Sequence, residues 1–371
     1  MEMERAKSAE PVVSPDARMA VDKSAERPYA PSFVDRITDW VRRLPIPSWL
    51  FYLGLSLALV LLYSGAKWIV GSYPVGTFFP FHVLGVLTSV YAIALLHYLD
   101  HEAQNALDDF RATIHINDAE YRLLSYRFTT LPVLPTIIAA AIGGLYGLSS
   151  LLYLSPQESQ IYKEFTSPLA VPLDLTFLVL GYAGGGVLIY HSVRQLRMVS
   201  RIYTDHAYVD LFNLHPMYAL SRLAASTAVG LAILVYAWLY VNLSVGNGTG
   251  LPATHLIEPV VFTVIVIFIF ILPLMGAHRL LHKEKVKAKG ESSQLLKTTI
   301  AELHHRCEAG DFAEVDAINK TLDALQKEQT ILDKISTWPW QPETLRGVVT
   351  AILLPIMVWI ITHLLNQIWV F

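Results

Sequence analysis

Seven long apolar stretches alternate with polar segments along the chain. They lie at about 48–70, 79–99, 131–153, 170–193, 223–245, 257–278 and 347–369. Each is close to the roughly 20 residues that a helix needs to cross a bilayer. The pattern predicts an all-α, polytopic membrane protein with about seven transmembrane helices. Six spans fall in a membrane domain at 34–278, and the seventh falls at 347–371. The membrane domain also contains two amphipathic joints, after spans two and four, and each joint is expected to begin as a continuation of the incoming helix.

The polar segment 279–346 has an apolar pattern of its own. One set of apolar positions recurs at spacings of four, three and four, and a second set continues the seam after a turn. The two sets are Leu296, Ile300, Leu303 and Cys307, then Val315, Ile318, Leu322, Leu325, Gln329 and Leu332. This spacing predicts two antiparallel helices that pack along one seam. Cys307 is expected to be a small core residue of that seam.

The turn and the two ends of this hairpin carry local signals. Gly310 occupies the position where helices often end in the left-handed conformation, and Asp311 and Glu314 form a capping-box-like pair. Gly290 is expected to break the first helix and provide a flexible joint. The segment 337–342, with two tryptophans and two prolines, is expected to form an anchored corner at the membrane surface.

The loops between the spans predict the orientation of the chain. Lysine and arginine concentrate in the N-terminal region, in both joints and in the hairpin, whereas the opposite loops carry only Lys163. The positive-inside rule then places the N-terminus and the hairpin in the cytoplasm and the C-terminus on the other side of a cell membrane. Residues 1–33 are predicted to be disordered, and Phe33–Leu44 to form an amphipathic helix on the membrane.

Composition narrows the function classes. The sequence is 53% hydrophobic and only 16% charged, against roughly 25% charged residues in soluble domains. The net charge of −3 gives no basic footprint for nucleic acid. Cys307 is the only cysteine, so neither an internal disulfide nor a cysteine-based metal cluster can form.

Histidines recur at the predicted inner ends of three spans. His97 and His101 are four residues apart, as are His278 and His282, while His191 ends the fourth span. Residues at this spacing share a helix face and can bind one metal. The arrangement resembles the histidine boxes of membrane di-iron oxygenases, although it lacks a His-x-x-His-His box. The alternatives are a pH-sensing role and ordinary residues of the head-group boundary, so no cofactor is predicted and a metal stays an alternative.

Other charged residues are candidates for lipid binding or for a role inside the membrane. The candidate lipid-binding residues are Lys283, Lys285, Lys287, Lys289, Arg194, Arg197 and Arg201. Asp174 and His363 are predicted to be intramembrane ionisable residues, whereas Lys67 and Glu258 are expected to reach the surface by snorkelling. Gly143 with Gly147, and Gly181 with Gly185, predict close helix packing.

These features favour a signalling, scaffolding or assembly component that acts through its cytoplasmic hairpin. The hairpin would bind a cytosolic protein or a second copy, and the basic residues would contact membrane lipids. A channel or transporter is the first alternative, and a membrane metalloenzyme that uses the paired histidines is the second. The sequence contains no P-loop, dinucleotide fingerprint or hydrolase motif, so no common enzyme motif indicates a reaction.

Overall fold

A computed structural model describes residues 27–114, 116–152, 168–205, 210–245, 253–310 and 315–368. These residues form eleven α-helices and one short 3-10 turn at Arg111–Thr113. The helices are α1 Phe33–Arg42, α2 Ser48–Ile69, α3 Pro80–Phe110, α4 Asp118–Thr129, α5 Val133–Ser150, α6 Val171–Asp205, α7 His215–Val245, α8 Ala253–Ile271, α9 Leu274–Ala309, α10 Val315–Lys334 and α11 Pro342–Ile368. Most of the predicted disordered segment, Lys163, and the Asp311–Glu314 capping pair lie outside the described residues.

Six helical regions of the described chain are long and apolar enough to cross a membrane, which fits a multi-pass membrane protein. They are Ser48–Ile69, Pro80–Phe110, Val133–Ser150, Val171–Thr204, His215–Val241 and Thr263–Ala309. Each contains or overlaps one of the first six predicted spans. The last helix, α11, runs through the predicted seventh span, and the total of seven spans stays a prediction.

The centre of the fold is the contact of α3 with α6 and α7. Helix α2 packs on α3, α5 packs on α6, and α8 and α11 pack on α7. Leu99, Leu188 and Leu220 are completely buried in this core. Helices α3 and α6 run about ten residues beyond their apolar stretches, as the amphipathic joints predicted, and α9 packs on the extended end of α6.

Glycine allows α5 and α6 to approach each other closely. A Cβ atom on Gly143 would overlap the carbonyl oxygen of Tyr182, and one on Gly186 would overlap the carbonyl oxygen of Ala139. Gly147 lies against the Tyr182 ring. The predicted small-residue packing is therefore confirmed for Gly143 and Gly147. On α6 the critical position is Gly186, because Gly185 has no neighbour within 4 Å of an added Cβ.

The N-terminal helix α1 forms where the sequence predicted it. Ser32 caps it, and the Asp35 side chain completes a capping box with Ser32. Val34 and Val41 are buried against the rest of the chain, whereas Trp40 is 55% exposed. The helix thus has one face on the protein and another that carries an exposed tryptophan.

Helices α9 and α10 pack against each other in antiparallel register. Lys289 forms an ion pair with Asp333, and Gln329 donates a hydrogen bond to Ser293 at 3.3 Å. Gly310 ends α9 in the left-handed conformation, with φ of 68°, as predicted. The expected break at Gly290 is wrong, because α9 is continuous from Leu274 to Ala309. One glycine weakens a helix by only about 1 kcal/mol, less than the contacts on both sides of it contribute.

The seam between these helices matches the prediction on α10 and departs from it on α9. On α10 the predicted positions are half-buried or buried, and Leu332 is only 1% exposed. On α9 the half-buried positions include Thr299 and Arg306, where Ile300 and Cys307 were predicted. Cys307 is exposed, so its assignment as a core residue is wrong.

Candidate functional site: two buried polar clusters on one helix

Helix α6 carries a buried ion pair near its beginning. Lys67 of α2 donates a hydrogen bond to Asp174 of α6 across 2.6 Å. Their side chains are 0% and 3% exposed, respectively. The expectation that Lys67 snorkels to the surface is therefore wrong, because Asp174 provides its counter-charge inside the protein. Charges buried to this extent persist only where a partner and additional hydrogen bonds compensate for the loss of water.

Aromatic and imidazole groups complete this Lys67 cluster, which consists of Tyr63, Lys67, Tyr73, His82 and Asp174. The Tyr63 hydroxyl donates a hydrogen bond to the second carboxylate oxygen of Asp174. The Tyr73 hydroxyl bonds to His82 Nδ1. Lys67 Nζ lies 5.6 Å from the ring centres of both tyrosines, within cation–π range. The arrangement links an ammonium, a carboxylate and two phenols, groups that can share or relay a proton.

A second cluster lies farther along the same helix. His191 Nε2 is 2.8 Å from Asp100 Oδ1, and both side chains are at most 8% exposed. Asp174 and His191 are separated by about 26 Å along α6, at ~1.5 Å per residue. That separation is comparable to the roughly 30 Å hydrocarbon thickness of a bilayer, so the two clusters lie near opposite ends of the apolar stretch of α6.

Several polar atoms of this His191 cluster, defined as Asp100, His191, Ser192 and Gln195, lack partners. Among the described residues, His191 Nδ1, Ser192 Oγ and both amide atoms of Gln195 have no hydrogen bond. Gln195 is only 1% exposed. A buried polar group without a partner costs about 1–3 kcal/mol. Such groups usually serve a function or satisfy themselves with ordered water, so this cluster is a candidate site of polar chemistry.

The N-terminal segment packs beside this cluster and is held there by hydrogen bonds. Asp35 accepts hydrogen bonds from the Ser32 amide at 2.8 Å and from the Leu131 amide at 3.1 Å. Burial raises the pKa of the Asp35 carboxyl, and the charge of Asp100 raises it further. Arg194 donates hydrogen bonds to the Thr130 carbonyl at 3.0 Å and to the Tyr29 hydroxyl at 2.5 Å. These contacts fix the start of α1 to the ends of α4, α5 and α6.

The predicted metal ligands occupy separate environments. His97 bonds to the Tyr52 hydroxyl at 3.1 Å, and His101 is exposed. His278 bonds to the Thr337 carbonyl at 3.0 Å, and its ring lies 6.2 Å from that of His282. No group of three or more histidine, cysteine or carboxylate side chains with metal-binding geometry occurs within the described part of the chain. His363 lies on α11 at a position whose side chain is outside the described residues, as does Glu258 on α8.

The predicted lipid-binding residues fall into two groups, one exposed and one that bonds to other parts of the protein. Arg197, Arg201, Lys283 and Lys287 are exposed. Lys285 donates hydrogen bonds to the carbonyls of Asp333 and Ile335, at 2.9 and 2.8 Å. With Lys289, it therefore joins α9 to the end of α10. The Lys289 hydrogen bond lowers the pKa of Asp333.

A column of stacked rings fixes the base of the α9–α10 pair to the membrane helices. It consists of Phe270, Trp340, Trp338 and His278, in that order. The ring centres of Phe270 and Trp340 are 5.6 Å apart, those of Trp340 and Trp338 4.4 Å, and those of Trp338 and His278 4.2 Å. The column joins α8, α9 and the segment before α11. The location of this corner at the membrane surface stays a prediction.

Sequence reasoning identified some members of these clusters and missed others. Asp174 and His191 were candidates, whereas the roles of Tyr63, His82 and Gln195 were not foreseen. Two signals were available. Lys67 and Asp174 have opposite charges at the same predicted membrane depth, and Gln195 lies four residues after His191, on the same helix face.

Comparisons of the chain with protein-family models, with curated proteins and with solved structures gave no match. Function must therefore be inferred from the geometry of the site and its surroundings. Three features are available for that inference: the Lys67 cluster, the His191 cluster and the ring column under α9 and α10.

Proposed function

We propose that the chain is a membrane signalling or assembly component whose α9–α10 pair forms a cytoplasmic hairpin and binds a protein partner. The observation that carries the proposal is the ring column Phe270–Trp340–Trp338–His278. It joins the base of the hairpin to helices on both sides of the long polar insert. A hairpin that served only as a spacer would not need such a base.

Contacts of both α9 and α10 hold the base of the hairpin in place. On α9, Leu274, Ala277 and Leu281 are completely buried. On α10, Leu332 is buried and the carbonyl of Ile335 accepts a hydrogen bond from Lys285. Because α9 has no break, a change in the position of α8 or α11 would be passed to the far end of the hairpin. This continuity supports a role as the output element of the membrane domain.

The hairpin also exposes apolar side chains. Leu295 is 57% exposed, Ile331 is 53% exposed and Ile300 is 37% exposed. Two paired helices bury only one seam, and four-helix assemblies bury the remaining apolar positions. A second copy or another helical protein could cover these side chains.

The proposal can be tested by photocrosslinking in cells. A photoreactive amino acid at Leu295 or Ile300 should give a protein adduct, whereas the same group at the neighbouring exposed Gln294 should give much less. An adduct of twice the chain mass would identify self-association, and another mass would identify a cytosolic partner. No protein adduct from Leu295 or Ile300 in the native host would refute partner binding.

The coupling through the base needs a separate measurement. Cys307 is exposed and is the only cysteine, so a spin label there can be paired with one at Arg111→Cys. The distance distribution should be narrow in the wild type and broader in Trp338→Ala. An exposed control, Thr321→Ala, should leave it unchanged. A wild-type distribution as broad as that of Trp338→Ala would remove the argument for an output element.

A second candidate function, an ion-coupled transporter, is favoured by the Lys67–Asp174 pair. Ionisable residues inside a membrane are functional candidates by default, and this pair lies beside three other groups that can carry protons. Proteoliposomes with a pH-sensitive dye should then show proton movement that Asp174→Asn abolishes. Equal flux in the wild type, in Asp174→Asn and in empty liposomes would exclude proton coupling through this pair.

A further inference from the structure

A groove of about 660 Å³ runs between α3, α7 and α11. One end is polar and is lined by Glu102, Arg222 and Thr344. Apart from Ser226, which is 3.5 Å from the Tyr98 hydroxyl, the rest is lined by apolar and aromatic side chains, including Tyr91, Ile233 and Val348. A groove with this division of surface matches an amphipathic molecule better than a polar solute or a purely apolar one.

The groove is oriented along the membrane helices. Helices α3 and α7 are antiparallel, because Tyr91 donates a hydrogen bond to the Gly230 carbonyl and Arg222 pairs with Asp109. The polar end therefore combines the end of the apolar stretch of α3 with the beginnings of α7 and α11. Arg222 and Ile233 are separated by about 16 Å along α7, at ~1.5 Å per residue. This length is about half of the roughly 30 Å hydrocarbon thickness, or one leaflet.

The charges at the polar end indicate which charged groups a bound amphipathic molecule would carry. Arg222 gives one hydrogen bond to Asp109 at 2.6 Å, and a guanidinium has further donors for a phosphate. Glu102 is half-buried and has no ion-pair or hydrogen-bond partner within the described part of the chain. A carboxylate beside an arginine favours a ligand with a cationic group next to its phosphate.

We infer that this groove binds one phospholipid whose head group contains both a phosphate and a primary ammonium, as phosphatidylethanolamine does. The phosphate lies at Arg222, the ammonium lies at Glu102, and an acyl chain follows the apolar wall towards Ile233. The leaflet-length groove and the paired opposite charges favour a lipid over a protein helix, which would need an apolar surface without a charged end.

Gly347 offers a direct way to fill the groove. It lines the groove, and an added Cβ there would meet no atom within 4 Å. Gly54 on α2 is equally unobstructed and lies outside the groove. Gly347→Phe and Gly54→Phe therefore form a matched pair, in which only the first places a large side chain in the proposed lipid position.

The test uses the full chain in nanodiscs with equal amounts of phosphatidylethanolamine and phosphatidylglycerol. After extraction into mild detergent, the retained lipid is measured by mass spectrometry. The wild type and Gly54→Phe should retain phosphatidylethanolamine, and Gly347→Phe should lose most of it. Glu102→Gln should lower the ratio of phosphatidylethanolamine to phosphatidylglycerol by about two- to five-fold, the effect of one partly exposed charge pair. Arg222→Gln should reduce the retention of both lipids.

Three results would overturn the inference. The first is equal lipid retention by Gly347→Phe and Gly54→Phe. The second is an unchanged ratio of phosphatidylethanolamine to phosphatidylglycerol in Glu102→Gln. The third is a crosslink from a photoreactive group at Ile233 to a second copy of the chain, which would make the groove a protein interface.

Discussion

Separating Lys67 from its counter-charge should strongly destabilise the protein. Asp174→Asn leaves an ammonium that is 0% exposed without a carboxylate, and Lys67→Met leaves the carboxylate without its cation. Breaking a buried pair by removing one partner costs about 3–5 kcal/mol, because the remaining charge stays buried. Replacing both partners by uncharged groups is often close to neutral.

The double-mutant cycle measures this coupling directly. Each single variant should lose about 3–5 kcal/mol of unfolding free energy, whereas Lys67→Met/Asp174→Asn should stay within about 2 kcal/mol of the wild type. The coupling energy should therefore be at least about 4 kcal/mol. Lys283→Met, which removes an exposed lysine, provides the control and should change stability by less than about 0.5 kcal/mol.

Unfolding in mixed detergent micelles, followed by far-UV circular dichroism and by tryptophan fluorescence, supplies the free energies. Single variants within about 1 kcal/mol of the wild type, or a double variant that loses the full sum of both, would show that the two charges are not buried as one pair.

Three further predictions concern packing, capping and the seam. Gly143→Ala should destabilise the protein by about 1–3 kcal/mol, because the new Cβ overlaps the Tyr182 carbonyl, whereas Gly54→Ala should have little effect in the same thermal-melting assay. Asp35→Asn should cost about 1–2 kcal/mol near pH 7. Because burial raises the pKa of folded Asp35, the wild type should gain stability relative to this variant as the pH falls through that pKa. Leu322→Asp should cost about 1–3 kcal/mol and reduce the helix signal, and an unchanged signal would contradict the seam.

The sequence predicted the helices of the membrane domain well because long apolar stretches have few alternatives in a bilayer. It also predicted that α3 and α6 continue past their apolar stretches. It could not predict which helices touch, because neighbouring spans have similar apolar surfaces. The contact of α3 with α6 and α7 depends on small residues, such as Gly230 against Leu95, whose partners are not visible in one sequence.

The Lys67 cluster shows why the site was harder to predict than the fold. A lysine near the end of a span usually reaches the surface, and this general rule gave the wrong environment for Lys67. What changed its environment was Asp174, a residue more than 100 positions away. Tyr63 and His82 joined the cluster through the same tertiary contact, without any local signal.

The α9 seam shows a limit of a different kind. Apolarity alone favoured Ile300, whereas the structure places Thr299 in the seam. Helix α9 is continuous with the segment that packs on α6, so the buried positions Leu274, Ala277 and Leu281 set its rotation. The set of α9 residues that faces α10 therefore depends on contacts several helical turns earlier. The spacing of apolar residues within the seam contains no information about those contacts.

The continuity of α9 also has a mechanical consequence. A helix of 36 residues is about 54 Å long, at ~1.5 Å per residue. It starts directly after Pro273, which interrupts the helical path from α8. A tilt of about 5° at that proline would displace the far end, near Cys307, by roughly 5 Å over this length. The helix would thus act as a lever arm, turning a small rearrangement at the membrane surface into a displacement as large as one helical turn.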